Sequence, residues 1–212
     1  MPTSTQYFKS ETLKFFTKYI TSDDLILDVG CGTGTYSDLL RPMGYNNIHG
    51  VEVFPDYIAN YSLKDKYDRL YHDNILELPS SILTIYDVVI MGDVWEHLSK
   101  PDADKLYKSF MRHQTVIIAV PFNAPQGEHF GNKYEIHLQP ELTHDKMMEY
   151  YPDLIPLCLR YDYGVYIKTA KQLFEPLYVL HLGGEMLNRL LDEGKTLVKA
   201  KHEYKSASPT DW

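Results

Sequence analysis

The sequence predicts an α/β fold: an open, mainly parallel sheet of seven strands, ended by an antiparallel hairpin, with helices on both faces. Three observations carry this. Continuous apolar runs of strand length recur along the first 120 residues, as strands buried on both faces require. Helical segments fit between them, and that alternation makes parallel crossovers. Further on, two apolar runs meet at Asp162-Tyr163-Gly164, a tight turn that brings the chain back antiparallel.

The elements follow in order. Residues 3–19 read as a helix whose apolar side carries Phe8, Leu13, Phe15, Phe16 and Tyr19. "LILDV" (25–29) is the first strand, and a glycine-rich turn leads from it into a helix over 35–42. "IHGVEV" (48–53) is the second strand, followed by a helix over 55–64. "DRLYHD" (68–73) is a weaker third; "YDVVIM" (86–91) and "TVIIAV" (115–120) are strong. Between these last two lies a helix over 100–112, entered at "SKPD" (99–102) by a capping serine and an early proline. "LIPLCLRY" and "VYIKTA" form the hairpin. Residues 1–171 are therefore expected to make one domain. Residues 172–212 are expected to be a helical extension packed on or beside it, interrupted at Gly183-Gly184 and polar at its end.

Composition bounds the function. A chain of 212 residues can bury a real α/β core. Its net charge of −8 speaks against nucleic acid as the main partner, because such binding leaves a basic footprint. No window is apolar and long enough to span a bilayer, and the first residues lack the apolar core of a signal peptide, so no membrane partner is expected. Cys31 and Cys158 form no metal-like or redox-like pair, which suits a cytoplasmic protein with free thiols. The 18 tyrosines bring apolar bodies with polar tips, fitting a ligand cavity, an interface or a half-buried surface. A monomer or a homodimer is expected.

The turn after the first strand is the informative motif. A loop between a strand and a helix N-terminus offers unpaired N–H groups, and glycines let a ligand approach the backbone with no Cβ in the way. A dinucleotide fingerprint would need a third glycine at position 35, where Thr35 stands. The pattern is instead D-x-G-x-G-x-G: Asp28, Gly30, Gly32, Gly34.

"LDVGCGTG" resembles the first motif of the class I S-adenosylmethionine-dependent methyltransferases, a Rossmann-like fold. The resemblance continues in order with Glu52 in "GVEVF", Asp73 in "YHDNILELP", the segment "YDVVIMGDVWEHL" and the closing hairpin, over about residues 20–170. It implies transfer of a methyl group from S-adenosyl-L-methionine to a small-molecule acceptor, at oxygen or nitrogen, leaving S-adenosyl-L-homocysteine. It also implies roles. Gly30, Gly32 and Gly34, with Cys31 among them, would lie against the methionine half and the ribose. Asp28 would help hold the α-amino group. Glu52, with Val53 beside it, would accept from both ribose hydroxyls. Asp73 would accept from the adenine amine, and Asn74 would add a backbone contact. Gly92 and Asp93 would sit near the sulfonium and amino group; alternatively, Asp93 caps the turn that follows it.

The acceptor side is less marked. Methyl transfer from a sulfonium needs positioning and exclusion of water, and a base only where the acceptor must lose a proton. Two segments are expected to face the methyl group: "DVWEHL" (93–98) and the long loop 121–140. Trp95, His97, Phe122 and Tyr134 are the candidate pocket residues, with Trp95 either wall or core. His129 and His137 are the candidate bases, or else residues that orient the loop. The loop is expected to be a mobile lid carrying Phe122, Phe130 and Tyr134. No H-x-x-x-H or paired-cysteine spacing occurs, so no metal is implied. The other functional readings are a noncatalytic cofactor-binding subunit of the same fold and a protein methyltransferase. The segment Gly92-Asp93-Val94-Trp95 departs from the N-P-P-Y type of adenine-N6 enzymes.

Overall fold

In the computed structural model the described residues are 5–129, 131–173 and 179–181. The strands are β1 (Ile26–Val29), β2 (Ile48–Glu52), β3 (Arg69–His72), β4 (Val88–Gly92), β5 (Thr115–Pro121), β6 (Ile155–Arg160), β7 (Tyr163–Lys168) and β8 (Val179–His181). They form one sheet in the order β3-β2-β1-β4-β5-β7-β6-β8. The first five pair in parallel, and β7 lies antiparallel to both β5 and β6. The seven expected strands are present in the expected arrangement.

The eighth strand corrects one expectation. Val179–His181 falls inside the stretch read as an interrupted helix, yet it pairs in parallel with Cys158, Leu159 and Arg160 of β6. The outer edge of β6 offers a row of backbone groups that a short β-prone segment satisfies. Residues 182–212, including Gly183-Gly184 and the polar end, and Phe130 lie outside the described residues.

Why these runs became central strands is visible in β4. Val88 and Ile90 pack into one core with Phe15, Phe16 and Leu40, while Val89 and Met91 pack into the other with Trp95, Leu106 and Tyr166. Both faces are covered, so alternation disappears and the sequence reads as continuously apolar. The helices are α1 (Lys9–Tyr19), α2 (Thr35–Leu40), α3 (Pro55–Asn60), α4 (Leu63–Lys66), α5 (Ser80–Leu83), α6 (Lys100–Ser109) and α7 (His144–Tyr150). Helix α6 begins as expected: the Ser99 hydroxyl accepts from the Asp102 N–H, Pro101 occupies the first turn, and Ala103, Leu106 and Tyr107 face the core. The expected 55–64 helix is divided at Tyr61-Ser62, where Ser62 takes a left-handed φ of 51°. Both cysteines are free and buried. No helix among the described residues is long and apolar enough to cross a membrane.

Candidate functional site

The strand order reverses direction between β1 and β4, and at such a switch the loops leaving neighbouring strands part to open a crevice. A cavity of about 540 Å³ lies there. It is lined from the carboxyl ends of all five parallel strands: Gly30 and Gly32 after β1, Glu52 and Val53 at β2, Asp73 and Asn74 after β3, Gly92 and Asp93 at β4, and Pro121 at β5. Its volume is in the range of small-molecule and cofactor sites.

The glycine loop shapes one wall. Gly30 has a left-handed φ of 61°, and a Cβ there would meet Val94 Cγ2 at 2.6 Å. A side chain is thus excluded twice over, by conformation and by contact. The loop is locked to the next strand by Glu52. Its Oε2 accepts the Gly32 N–H at 2.9 Å and its Oε1 accepts the Phe54 N–H at 2.9 Å. Burial raises the Glu52 pKa, and the backbone donors oppose that rise. At the far end Asp73 Oδ1 accepts the Asn74 N–H at 2.8 Å. Ile75 and Leu76 give that end apolar walls.

Several expected site residues lie elsewhere. Asp28 is buried beneath the loop, where its Oδ2 accepts the Tyr67 hydroxyl at 2.6 Å. Burial raises its pKa from 3.8 to about 7, with the Tyr67 hydrogen bond opposing. Cys31 is buried in the same core, and burial lifts its thiol pKa far above the ordinary value. Gly34 has its Cβ direction filled by the Lys66 side chain. None of these three lines the cavity. Strand alternation explains Asp28: Leu27 and Val29 face one core, so their neighbour faces the other. Trp95 and Phe122 are core residues, at 0% and 4% exposure, and likewise do not line the cavity. His129 is outside it too, bridged to Asn132.

The other half of the cavity is polar. Asp93, Glu96, His97, Gln126, Asn132, Tyr134, Glu135 and His137 line it. Asp93 has a φ of 55° and its Oδ2 accepts the Thr5 N–H at 2.6 Å, so its carboxylate ties down the N-terminal segment and does not cap the following turn. Glu96 is 2% exposed, and burial, with the charge of Asp93 next, holds its pKa well above the carboxylate range. Burial lowers the pKa of His97 and His137, and His97 is lowered further by His137 beside it. The His97 and His137 rings meet edge to face at 4.7 Å.

The 121–140 loop reaches this position by backbone pairing. The Leu138 and Gln139 N–H groups both donate to the Glu96 carbonyl, at 2.9 and 3.0 Å. The Gln139 side-chain amide donates to the Trp95 and Leu98 carbonyls, both at 3.1 Å. The Tyr57 hydroxyl donates to Glu135 Oε1 at 3.0 Å. The carboxyl end of the loop is therefore tied to Glu96 by backbone, while Asn123, Pro125, Gly127, Glu128, Gly131, Lys133 and Tyr134 are exposed and make no bond to it.

Sequence reasoning missed Thr5, Tyr57, Glu96, Gln126 and Asn132. Glu96 stood within the segment expected to face the methyl group. Which of Trp95 and Glu96 turns inward is decided by the one-turn 3₁₀ helix Trp95–His97, whose adjacent residues point in different directions.

The comparisons agree with this geometry. Among solved structures, the N-terminal domain of EvdMO1, crystallised with SAH, matches with a TM-score of 0.58 at 14% identity over 79% of this chain and 83% of that one. A Burkholderia thailandensis 1,6-didemethyltoxoflavin-N1-methyltransferase matches at 0.53 and 14%, over 76% and 78%. The small RNA methyltransferase HEN1 matches at 0.52 and 17%, over 82% of this chain and 28% of that one. At such identities the likeness shows a shared fold. No curated protein matches the sequence significantly. The profile of the family described as "Methyltransferase domain" matches residues 3–139, well over half of the chain, and the protein belongs to that family.

Proposed function

We propose that the protein transfers a methyl group from S-adenosyl-L-methionine to an oxygen or nitrogen of a small-molecule acceptor. The observation that carries this reading is the division of one cavity into two halves. One is built by Gly30, Gly32, Glu52, Asp73 and Asn74; the other is walled by Asp93, Glu96, His97 and His137.

The residues present fit the cofactor. Glu52 turns a carboxylate to the cavity, an acceptor that suits vicinal ribose hydroxyls. Gly30 leaves the backbone bare where a Cβ would intrude. Asp73, flanked by Ile75 and Leu76, would take the adenine amine between apolar walls. When bound, the cofactor supplies a methyl group already activated by its sulfonium. The protein's part is to orient the acceptor and exclude water.

A small acceptor is supported by the net charge of −8 and by the carboxylates of Asp93 and Glu135 in the cavity wall, both of which repel a phosphate backbone. A turnover screen tests the reading. Purified protein is incubated with S-adenosylmethionine and, separately, phenols, sugars, amines, carboxylates and a short RNA, and S-adenosylhomocysteine is measured. Product with a small-molecule class supports the proposal. Product with RNA alone overturns the acceptor class, and calorimetry showing NAD binding without S-adenosylhomocysteine binding overturns the cofactor.

A further inference from the structure

We propose that Glu96, His97 and His137 form a binding site for a divalent first-row transition-metal ion in the acceptor half of the cavity. The potential ligand atoms of these three residues lie within 4.8 Å of one another. Glu96 Oε1 stands 3.9 Å from His97 Nε2 and 3.9 Å from His137 Nε2. An ion equidistant from atoms so spaced lies about 2.2 to 2.5 Å from each. Zn–N and Zn–O bonds are ~2.0 to 2.2 Å, so closure needs shifts of a few tenths of an ångström.

Two further observations point to a ligand. The first is the other carboxylate oxygen. Glu96 Oε2 is buried without a hydrogen-bond partner among the described residues, on a side chain 2% exposed. A buried acceptor left unpaired costs free energy, and a cation removes that cost. The second is the state of the rings. His97 Nδ1 is 3.2 Å from the Ile136 carbonyl oxygen, and His137 Nδ1 is hydrogen-bonded to the Ala124 carbonyl. A carbonyl only accepts, so each Nδ1 carries the proton and each neutral ring presents its Nε2 lone pair toward Glu96. Metal-binding histidines are held in this way, with the remote nitrogen donating to a carbonyl or carboxylate.

The placement is fixed by backbone. Leu138 and Gln139 donate to the carbonyl of Glu96, which sets residue 137 opposite residues 96 and 97. Two imidazoles and one carboxylate leave coordination positions open toward the cavity, the pattern of sites that bind a reacting molecule. An oxygen-bearing acceptor, such as a hydroxyl or a vicinal diol, fits those positions. That consequence rests on the methyl-transfer reading; the ion site does not.

Cobalt(II) tests the site directly. It is titrated into the chelator-treated full chain without cofactor, and binding is followed by calorimetry and by visible d–d absorption. The expected result is one ion per chain with bands of mixed nitrogen and oxygen coordination. Glu96→Gln and His137→Gln should each weaken binding ~tenfold or more, and a change at His113, an exposed histidine that does not line the cavity, His113→Gln, should not. Thermal melts of each variant show that it is folded; should Glu96→Gln melt early, His137→Gln carries the test. Absence of binding by the parent chain, or equal binding by folded variants, overturns the proposal. S-adenosylhomocysteine affinity, measured separately by calorimetry, tells failure of the ion site from failure of the methyl-transfer reading.

Discussion

Glu52 Oε2 accepts the backbone N–H of Gly32 at 2.9 Å, joining the end of the second strand to the glycine loop after the first. One carboxylate therefore shapes the loop and presents itself to the cavity. Glu52→Ala is expected to weaken S-adenosylhomocysteine binding by about 2 kcal/mol or more, because two ribose hydroxyls lose their partners. Glu52→Gln, which keeps one acceptor, should lose less. Calorimetry measures both, and an unchanged dissociation constant in the alanine variant places Glu52 outside the site.

His137 and His129 separate the two candidate bases. His137 lines the cavity and His129 does not. His137→Gln should lower turnover by roughly a hundredfold with cofactor affinity retained, while His129→Ala should leave turnover near that of the parent. Burial lowers the His137 pKa from 6.5, so the neutral ring persists into more acidic solution than a free histidine would. In chelator-treated protein, where no ion occupies its Nε2, the acid limb of the turnover profile is expected below pH 6.5 for that reason. A limb above this value, or equal losses in the two variants, contradicts the assignment.

Asp28 gives stability a pH dependence of its own. Its folded pKa, about 7, lies above the unfolded value near 3.8, so the folded state binds the extra proton between these limits. Its contribution is full below about pH 4 and declines as pH rises toward 7, with a limiting slope of about 1.4 kcal/mol per pH unit. Asp28→Asn can still accept from the Tyr67 hydroxyl without burying a charge. Denaturant titrations at a series of pH values should show that slope flattened in the variant. Parallel curves for parent and variant would show that Asp28 is ionised throughout.

The ties of the 121–140 loop bear on its motion. The amides of His137, Leu138 and Gln139 donate to the carbonyls of Gln126, Glu96 and Glu96. Hydrogen exchange at these three amides is expected to be slow already in the free protein, with fast exchange at the exposed Gly127 and Glu128. Fast exchange across the whole loop until S-adenosylhomocysteine and acceptor are added would restore the mobile lid.

The sequence by itself determined the sheet and the glycine-loop half of the cavity. Runs such as "LILDV" and "YDVVIM" report burial on both faces, a local property of each run, and their order gives the parallel sheet. Gly30, Gly32, Glu52, Asp73 and Gly92 were legible because each stands at or just after a strand end, and a switch point brings strand ends together. Tertiary structure decided what depends on direction and long-range pairing. Asp28 has the right residue type, but strand alternation turns it into the core beside Tyr67. Thr5 reaches Asp93 across 88 positions, which no local pattern announces. The Glu96–His97–His137 cluster was invisible because its spacing is not that of a one-helix metal motif. It exists only because the amides of Leu138 and Gln139 seek the carbonyl of Glu96 and carry a distant histidine with them.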